Sequence, residues 1–416
     1  MLFISIMIAV LAVYLIQQQL LSKYTIDKVA YNVRLSSEEV FAGEDIFMYE
    51  EISNYGNLPI PTAKVDTELP EGLYFRLITV KHAGRQQLTA YDAAAPNSSN
   101  TDTYRRNIRS VFVLHGRQRI KRRWRVTCRK RGVYNPGSVM IIVNDLLGFN
   151  AESKRLDIIP DKFNRIVVLP RAIDLDLHFT CSRYHSGDVT VLRSLLTDPL
   201  RIAGTRDYIS GDPLNRINWK STAAHGRLMV NVEEYTERHH FNIILNMKSR
   251  DIEPDPEIPS IADRVELCIT VAASLLDGVS NENIPVRLFI NAPFDPEVPE
   301  FSGVTLSSDD DVGSKIMRTP QYEGKRDMIN ALRLLAALQL RYSCPLEHML
   351  DHIVNNPSWY AENGSLIFIS SYFSERMAVF HEMMARRGIK VIFYITSTNQ
   401  NTDIPGNVEV YFRAYE

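Results

Sequence analysis

FNIILNM, residues 241–247, is an apolar run rich in isoleucine, with His239 and His240 before it and Lys248 and Arg250 after it. A run this short, apolar at consecutive positions, reads as a strand buried on both faces. Downstream, Ser260 opens a long helical pattern with Asp263 as a capping-box variant and Val265, Ile269, Ala272 and Leu276 as its apolar stripe. VRLFIN (286–291) is the next strand, and 323–342 reads as a helix with Leu332, Leu335, Ala336 and Leu338 apolar. PLEHMLDHIV (345–354) is a shorter helix, SLIFIS (365–370) a strand, SERMAVFHEMMARRG (374–388) a helix stopped by Gly388, and IKVIFYIT (389–396) a last core strand. Strands that alternate with helices and are themselves continuously apolar predict a parallel, doubly wound α/β sheet over residues 237–416.

Immediately upstream, residues 206–235 read RDYISGDPLNRINWKSTAAHGRLMVNVEEY. Gly211 permits a tight turn, Asp212 is placed to cap a helix, and Pro213 suits a first helical position. Leu214, Ile217, Ser221 and Ala224 share one helical stripe, which with Trp219 is expected to dock between two domains, and Gly226 is a natural stop. Arg216 and Lys220, four apart, place like charges side by side. An acidic partner is therefore expected for them, either internal (Glu233 or Glu234) or on another protein.

The run Gly211-Asp212-Pro213-Leu214-Asn215-Arg216-Ile217-Asn218-Trp219-Lys220-Ser221 resembles the signature of the domain-of-unknown-function 58 family. Asn218 stands where that family more often has Asp. A second match is Arg131-Gly132-Val133-Tyr134 followed by Asn144-Asp145-Leu146-Leu147-Gly148-Phe149, with Leu146 in place of Pro. The resemblance covers most of the chain after its first apolar run. It implies a von Willebrand factor A-like α/β domain, and a partner of the MoxR-type AAA+ ATPase class in assembly or maturation of other proteins. It marks Gly211, Asp212, Arg216, Asn218, Trp219 and Lys220 as the binding motif. In von Willebrand A-type domains the first strand ends in Asp-x-Ser-x-Ser, whose oxygens hold Mg²⁺. Here Asn246, Lys248 and Arg250 take those positions, so no metal and no cofactor is expected, and the Lys248 ammonium is a candidate for the metal's place.

The remainder of the chain is read from composition and pattern. A length of 416 residues with 45% hydrophobic residues allows two or three domains, and a net charge of −2 excludes a general polyanion binder. Cys128, Cys181, Cys268 and Cys344 are scattered, without metal or disulfide spacing. Residues 1–22 contain the apolar run LFISIMIAVLAVYLI, read as a transmembrane helix and membrane anchor. Lys23, Lys28 and Arg34 follow it, predicting a single-pass membrane protein with the bulk of the chain cytoplasmic. Residues 24–160 mix short alternating runs with Asn, Pro and Gly breaks, the pattern of an all-β, Ig-like sandwich; within it, 92–107 read as a loop. Residues 161–236 are a connector carrying the signature. In that connector His178, Cys181 and His185 have spacings of three and four, but no helix is signalled to bring them together.

The strongly basic stretch RQRIKRRWRVTCRKR carries Arg117, Arg119, Lys121, Arg122, Arg123, Arg125, Arg129, Lys130 and Arg131. Three readings stay open: a solvated edge strand blunted by charge, contact with anionic lipid headgroups, and nucleic-acid binding with Trp124 stacking. Asp309-Asp310-Asp311 reads as a solvated turn. The chain has no G-x-S-x-G, no H-E-x-x-H and no phosphate-cradling glycine loop. The expectation is a membrane-anchored, non-enzymatic interaction or scaffold protein, the alternative being an anionic-lipid or nucleic-acid binder.

Overall fold

Strict alternation of inward apolar and outward polar residues shapes the first half of the chain. In Arg119–Cys128, for instance, Ile120, Val126 and Cys128 are buried while Arg119, Lys121, Arg123 and Arg125 are exposed. The computed structural model describes residues 26–69, 72–82, 106–135, 137–144, 151–158, 164–175, 189–190, 197–237, 240–249, 259–281, 284–294, 305–306, 316–357, 364–396 and 408–412, with Met7 and Gly406 besides. The chain divides into two compact units, Met1–Arg171 and Ala172–Glu416.

The first unit contains β1 (Val29–Leu35), β2 (Glu39–Phe41), β3 (Asp45–Asn54), β4 (Ile60–Leu69), β5 (Leu73–His82), β6 (Arg106–Leu114), β7 (Arg119–Cys128), β8 (Gly132–Tyr134), β9 (Ser138–Asn144), β10 (Ala151–Asp157) and β11 (Ile166–Leu169). They form sheets ordered β1-β3-β7-β5 and β10-β9-β4-β6, and a small sheet β2-β11-β8. Val29, Ile52 and Ile120 from the first sheet share one core with Ile60, Ala63, Val65, Phe112, Leu114, Val139 and Ile141 from the second. This is a β-sandwich: two sheets, each apolar on one face, burying those faces against each other.

The second unit begins with β12 (Val189–Thr190), β13 (Thr197–Asp207), a single 3-10 turn (Leu214–Arg216), α1 (Trp219–His225) and β14 (Met229–Glu237). Next come β15 (His240–Leu245), α2 (Pro259–Asn281), β16 (Val286–Ile290), β17 (Thr305–Leu306), β18 (Met317–Arg318), α3 (Gly324–Ala337) and α4 (Leu346–Asn355). It closes with β19 (Gly364–Ser370), α5 (Glu375–Arg386), β20 (Val391–Ile395) and β21 (Glu409–Phe412). β12, β14 and β13 form a small antiparallel sheet, and the rest a sheet ordered β17-β18-β16-β15-β19-β20-β21. Neighbours from β16 through β21 run parallel, whereas β18 runs antiparallel to β16 and β17 antiparallel to β18. α2 packs on α3 and over β15 and β19. Met349 and Ile353 of α4 and Met377 and Phe380 of α5 share a core with Ile244, Phe289, Phe368 and Phe393.

The fold class expected from sequence is corrected accordingly. Strand predominates among the described residues, four of the five sheets are small or antiparallel, and the C-terminal sheet is mixed. The doubly wound, von Willebrand A-like reading of 237–416 does not stand: the strands marked by apolar runs are present, but the sheet is mixed, because β17 and β18, which no apolar run marks, join its edge antiparallel. The transmembrane helix is corrected too. Among the described residues no helix is long and apolar enough to cross a membrane. The apolar run at residues 2–16 is itself shorter than the roughly 20 residues a bilayer core needs, and it lies outside the described residues apart from Met7. The single-pass, cytoplasm-facing localisation falls with it. The loop at 92–107 (up to Tyr104 and Arg105), the His178, Cys181 and His185 set, Asp309 to Asp311 and Arg250 also lie outside the described residues.

Candidate interaction surface

β13 and β14 pair antiparallel with Asp207 opposite Met229, so residues 208–228 cap the end of a hairpin. The cap is tightly braced. Arg206 forks onto Asp212, Nη1 donating to Oδ2 at 2.6 Å and Nη2 to Oδ1 at 2.7 Å. Asp212 Oδ2 accepts from the Ile209 N–H at 2.9 Å, and the Asp212 N–H returns to Ile209 O at 3.0 Å. Gly211 closes this turn at φ 111°, a value an L side chain rarely adopts. The Arg206 guanidinium, seconded by the Ile209 N–H, holds the Asp212 carboxyl down at about 2. Arg227 pairs with Asp207 at 2.9 Å across the hairpin.

Asp212 is therefore a turn clamp, and the helix cap expected of it belongs to Asn218. Pro213 and Ile217 are both extended, and α1 starts only at Trp219. Asn218 Oδ1 accepts from the Ser221 N–H at 3.0 Å while Nδ2 donates to Asn231 Oδ1 on β14 at 2.7 Å. A carboxylate could make the first bond but could not donate the second. Gly226 ends α1 in the left-handed region, φ 66°, its N–H bonded to Thr222 O at 2.9 Å, and Thr222 Oγ1 accepts from the Met229 N–H at 3.0 Å.

Trp219 was expected to be buried between domains with a stripe from Leu214 to Ser221. Only Ile217 is buried, bridged to Val230. The 3-10 turn and α1 are separate elements, so the helical spacing that suggested one stripe spans a break. Instead Ile209 is 65% exposed, Leu214 70%, Trp219 68% and Leu228 43%. The hairpin end thus exposes four large apolar side chains, and the same segment carries the exposed Lys220 and the half-buried Arg216. Sequence reasoning missed Ile209 and Leu228, which belong to no periodic stripe. The side chains of Glu233 and Glu234 lie outside the described set.

The basic run occupies β7, which lies between β3 and β5, so the edge-strand reading is corrected. Alternation splits its cations between two faces. Outward, Arg119 and Lys121 pair with Glu51 at 3.0 and 3.1 Å, Arg125 pairs with Asp45 at 2.9 Å, and Arg123 lies 5.0 Å from the Phe47 ring centroid. Arg117, at φ 55° in the preceding turn, donates to Asn57 Oδ1, and Arg129 lies over the Tyr74 ring at 4.0 Å. Arg122 faces inward. Its Nη2 donates to Val111 O on β6 of the facing sheet at 2.9 Å, and its guanidinium lies 3.7 Å from the Phe112 centroid. Opposite it, the buried Glu50 accepts from Tyr31 Oη at 3.0 Å and Trp124 Nε1 at 2.9 Å. Burial pushes the Glu50 carboxyl up and the Arg122 guanidinium down from their ordinary values, each partly offset by the other's charge. Trp124 Nε1 is thus committed to the Glu50 carboxylate, and its half-buried ring packs against the core that holds Val33, Ile46 and Val126.

Lys130 and Arg131 lead into the Arg-Gly-Val-Tyr motif, whose role here is structural. Tyr134 Oη donates to Lys130 O at 2.9 Å and Arg131 O at 3.2 Å, and a Cβ on Gly72 (φ 100°) would collide with that hydroxyl.

At the end of β15, the buried Asn246 uses both halves of its amide. Nδ2 donates to Ser370 Oγ at 3.1 Å and Lys248 O at 3.3 Å, and Oδ1 accepts from Asn291 Nδ2 at 3.0 Å and the Lys248 N–H at 3.2 Å. Asn291 in turn accepts from the Met247 N–H at 2.7 Å and donates to Cys344 O at 3.1 Å. The amides tie three strand ends together. The Lys248 ammonium lies outside this network, 5.8 Å from the centroid of the Tyr342 ring.

No family model matches the chain, and no curated protein matches it. Among solved structures, it is similar to the CARDB domain of a Pyrococcus furiosus protein at 10% identity, over 34% of this chain and 94% of that one, TM-score 0.18. It is similar to BcpA, the major pilin subunit of Bacillus cereus, at 10% identity, over 34% and 40% of the two chains, TM-score 0.20. The major pilin SpaD of Corynebacterium diphtheriae matches at 10% identity over 30% and 34%, TM-score 0.22. The chain spans less than half the length of either pilin. Likenesses at these scores carry no argument about function.

Proposed function

We propose that this chain is a non-enzymatic interaction protein whose hairpin end, residues 208–228, docks a partner protein, and that the partner is a MoxR-type AAA+ ATPase. The ATPase class rests on the resemblance of the Gly211–Ser221 and Arg131–Phe149 motifs to the domain-of-unknown-function 58 family. The docking reading rests on Trp219, 68% exposed on a helix fixed at both ends by Asn218 and Gly226. Large apolar groups left exposed on a surface mark interaction sites, and Trp is among the residues that dominate interface centres. The Arg206–Asp212 clamp adds to this, since a surface already rigid loses little entropy on binding.

The test is capture of the purified ATPase by the full chain carrying both Leu214→Ala and Trp219→Ala. Both side chains are exposed, so stability should change by no more than about 0.5 kcal/mol. Capture should weaken at least about ten-fold, as expected for removal of a buried aromatic anchor. Unchanged capture by the double variant would refute the docking role.

A further inference from the structure

We propose that the carboxyl edge of the C-terminal sheet binds a phosphate group of a small molecule, independently of the hairpin end. β16, β15, β19 and β20 run parallel, so their carboxyl ends share one edge. From that edge β15 leads on to α2, which packs over β15 and β19, whereas β19 leads to α5, which shares with α4 the core of Ile244 and Phe368. Neighbouring parallel strands whose chains part in this way are where ligands bind in such sheets. Asn246 and Asn291 draw the segments of this edge together. Asn246 Nδ2 reaches both Lys248 O and Ser370 Oγ, which sets residue 248 beside the end of β19. Asn291 Nδ2 reaches Cys344 O, just before α4 begins at Leu346.

Charge and unpaired donors at this edge select the ligand. α4 and α5 both begin here, and a helix N-terminus carries orphan N–H groups and partial positive charge. The half-buried Lys248 has its ammonium 5.8 Å from the centroid of the Tyr342 ring, and no carboxylate pairs with it, the first-turn Glu347 and Glu375 included. Ser371 is 4% exposed, and its Oγ has no hydrogen-bond partner. It is the middle residue of the turn that the Tyr372 N–H closes onto Ser370 Oγ at 3.3 Å, so its side chain leaves the chain where that turn borders Lys248. Ser374 stands at the N-cap of α5 with its own Oγ unpartnered, although a serine there ordinarily bonds the first turn. A buried hydroxyl without a partner costs free energy, and so does a half-buried cation beside two positive helix ends. A phosphate offers more charge and more acceptor oxygens than a carboxylate, which suits an ammonium, two hydroxyls and two helix ends together.

The experiment titrates the full chain by calorimetry with inorganic phosphate, with glycerol 3-phosphate, and with acetate at matched ionic strength. Saturable binding of inorganic phosphate, of the monoester or of both is expected, and which of them binds tells a free ion from an ester. Acetate should bind more weakly than either. Lys248→Ala with Ser371→Ala should weaken phosphate binding about ten-fold or more, while Lys248→Arg should retain it and Lys325→Ala on α3 should leave it unchanged. The alanine pair removes no hydrogen bond of Ser371 Oγ and should melt near the parent. Ser374→Asp separates binding from folding. It supplies the cap that Ser374 does not make and sets a negative charge at the site, so the melting temperature should hold or rise while phosphate binding falls. The proposal is overturned if neither phosphate compound binds, if acetate binds as tightly, or if the alanine pair or Ser374→Asp binds phosphate as well as the parent.

Discussion

Asp212 receives two hydrogen bonds from Arg206 and one from Ile209; ionisation supplies the charge of the Arg206 pair and strengthens all three. An ordinary Asp titrates at about 3.9, and this one is held down at about 2. Because the folded value is the lower, the clamp's contribution is complete above about pH 4 and is lost as pH falls through about 2. The Ile209 amide reports on it directly. Its exchange protection, measured by hydrogen exchange from pH 5 downward, should be constant to about pH 4 and fall between about 4 and 2. Asp212→Asn should abolish that pH step. If protection in the parent is flat to pH 2, the clamp is not what holds the turn. The importance of Gly211 and Asp212 was legible in the sequence as a turn signal. Which backbone group Asp212 would serve was not, because its partner Arg206 lies on a strand whose register no local pattern supplies.

At the scale of elements, the hairpin end shows where periodicity misleads. Leu214, Ile217 and Ser221 have helical spacing, yet a 3-10 turn and a separate α1 share them. The extended Ile217 bridges Val230, and that tertiary contact overrides the local pattern. Asn218 joins the two scales by capping α1 and holding it to β14. Asn218→Ala should therefore cost about 1–2 kcal/mol, read as lost exchange protection at the Ser221 N–H. Asn218→Asp should cost less, since it keeps the cap and Asn231 can turn its amide to donate. Equal losses for the two would mean that the Asn231 contact, and not the cap, holds the helix. β7 teaches the converse. Its alternation divides Arg119, Lys121, Arg123 and Arg125 from the inward Arg122, which the reading of the run as one basic patch did not separate. Its central place was not readable, because a strand so rich in charge resembles an edge, and among the described residues Glu51 and Asp45 on β3 pair with its outward cations while Glu50 stands opposite Arg122.

For the whole molecule, the β-sandwich was legible because alternation and turn residues repeat at short intervals. The C-terminal sheet was legible in its strands but not in its edge, where β17 and β18 are two residues each and too short to show a period. The two units have separate cores. Val33, Ile46, Val126 and Ile166 belong wholly to the first, as do Ile52, Ile60 and Phe112, while Ile244, Phe289, Phe368 and Phe393 belong to the second. A unit with its own core is a cooperative folding unit. Residues 26–171 and residues 172–416, expressed as separate chains, should each melt in a single cooperative transition by circular dichroism. The first should show a strand spectrum and the second a mixed one. The full chain should then show two transitions near those midpoints. A fragment that shows no transition, while the full chain melts cooperatively, would mean that its core is completed only by the other half.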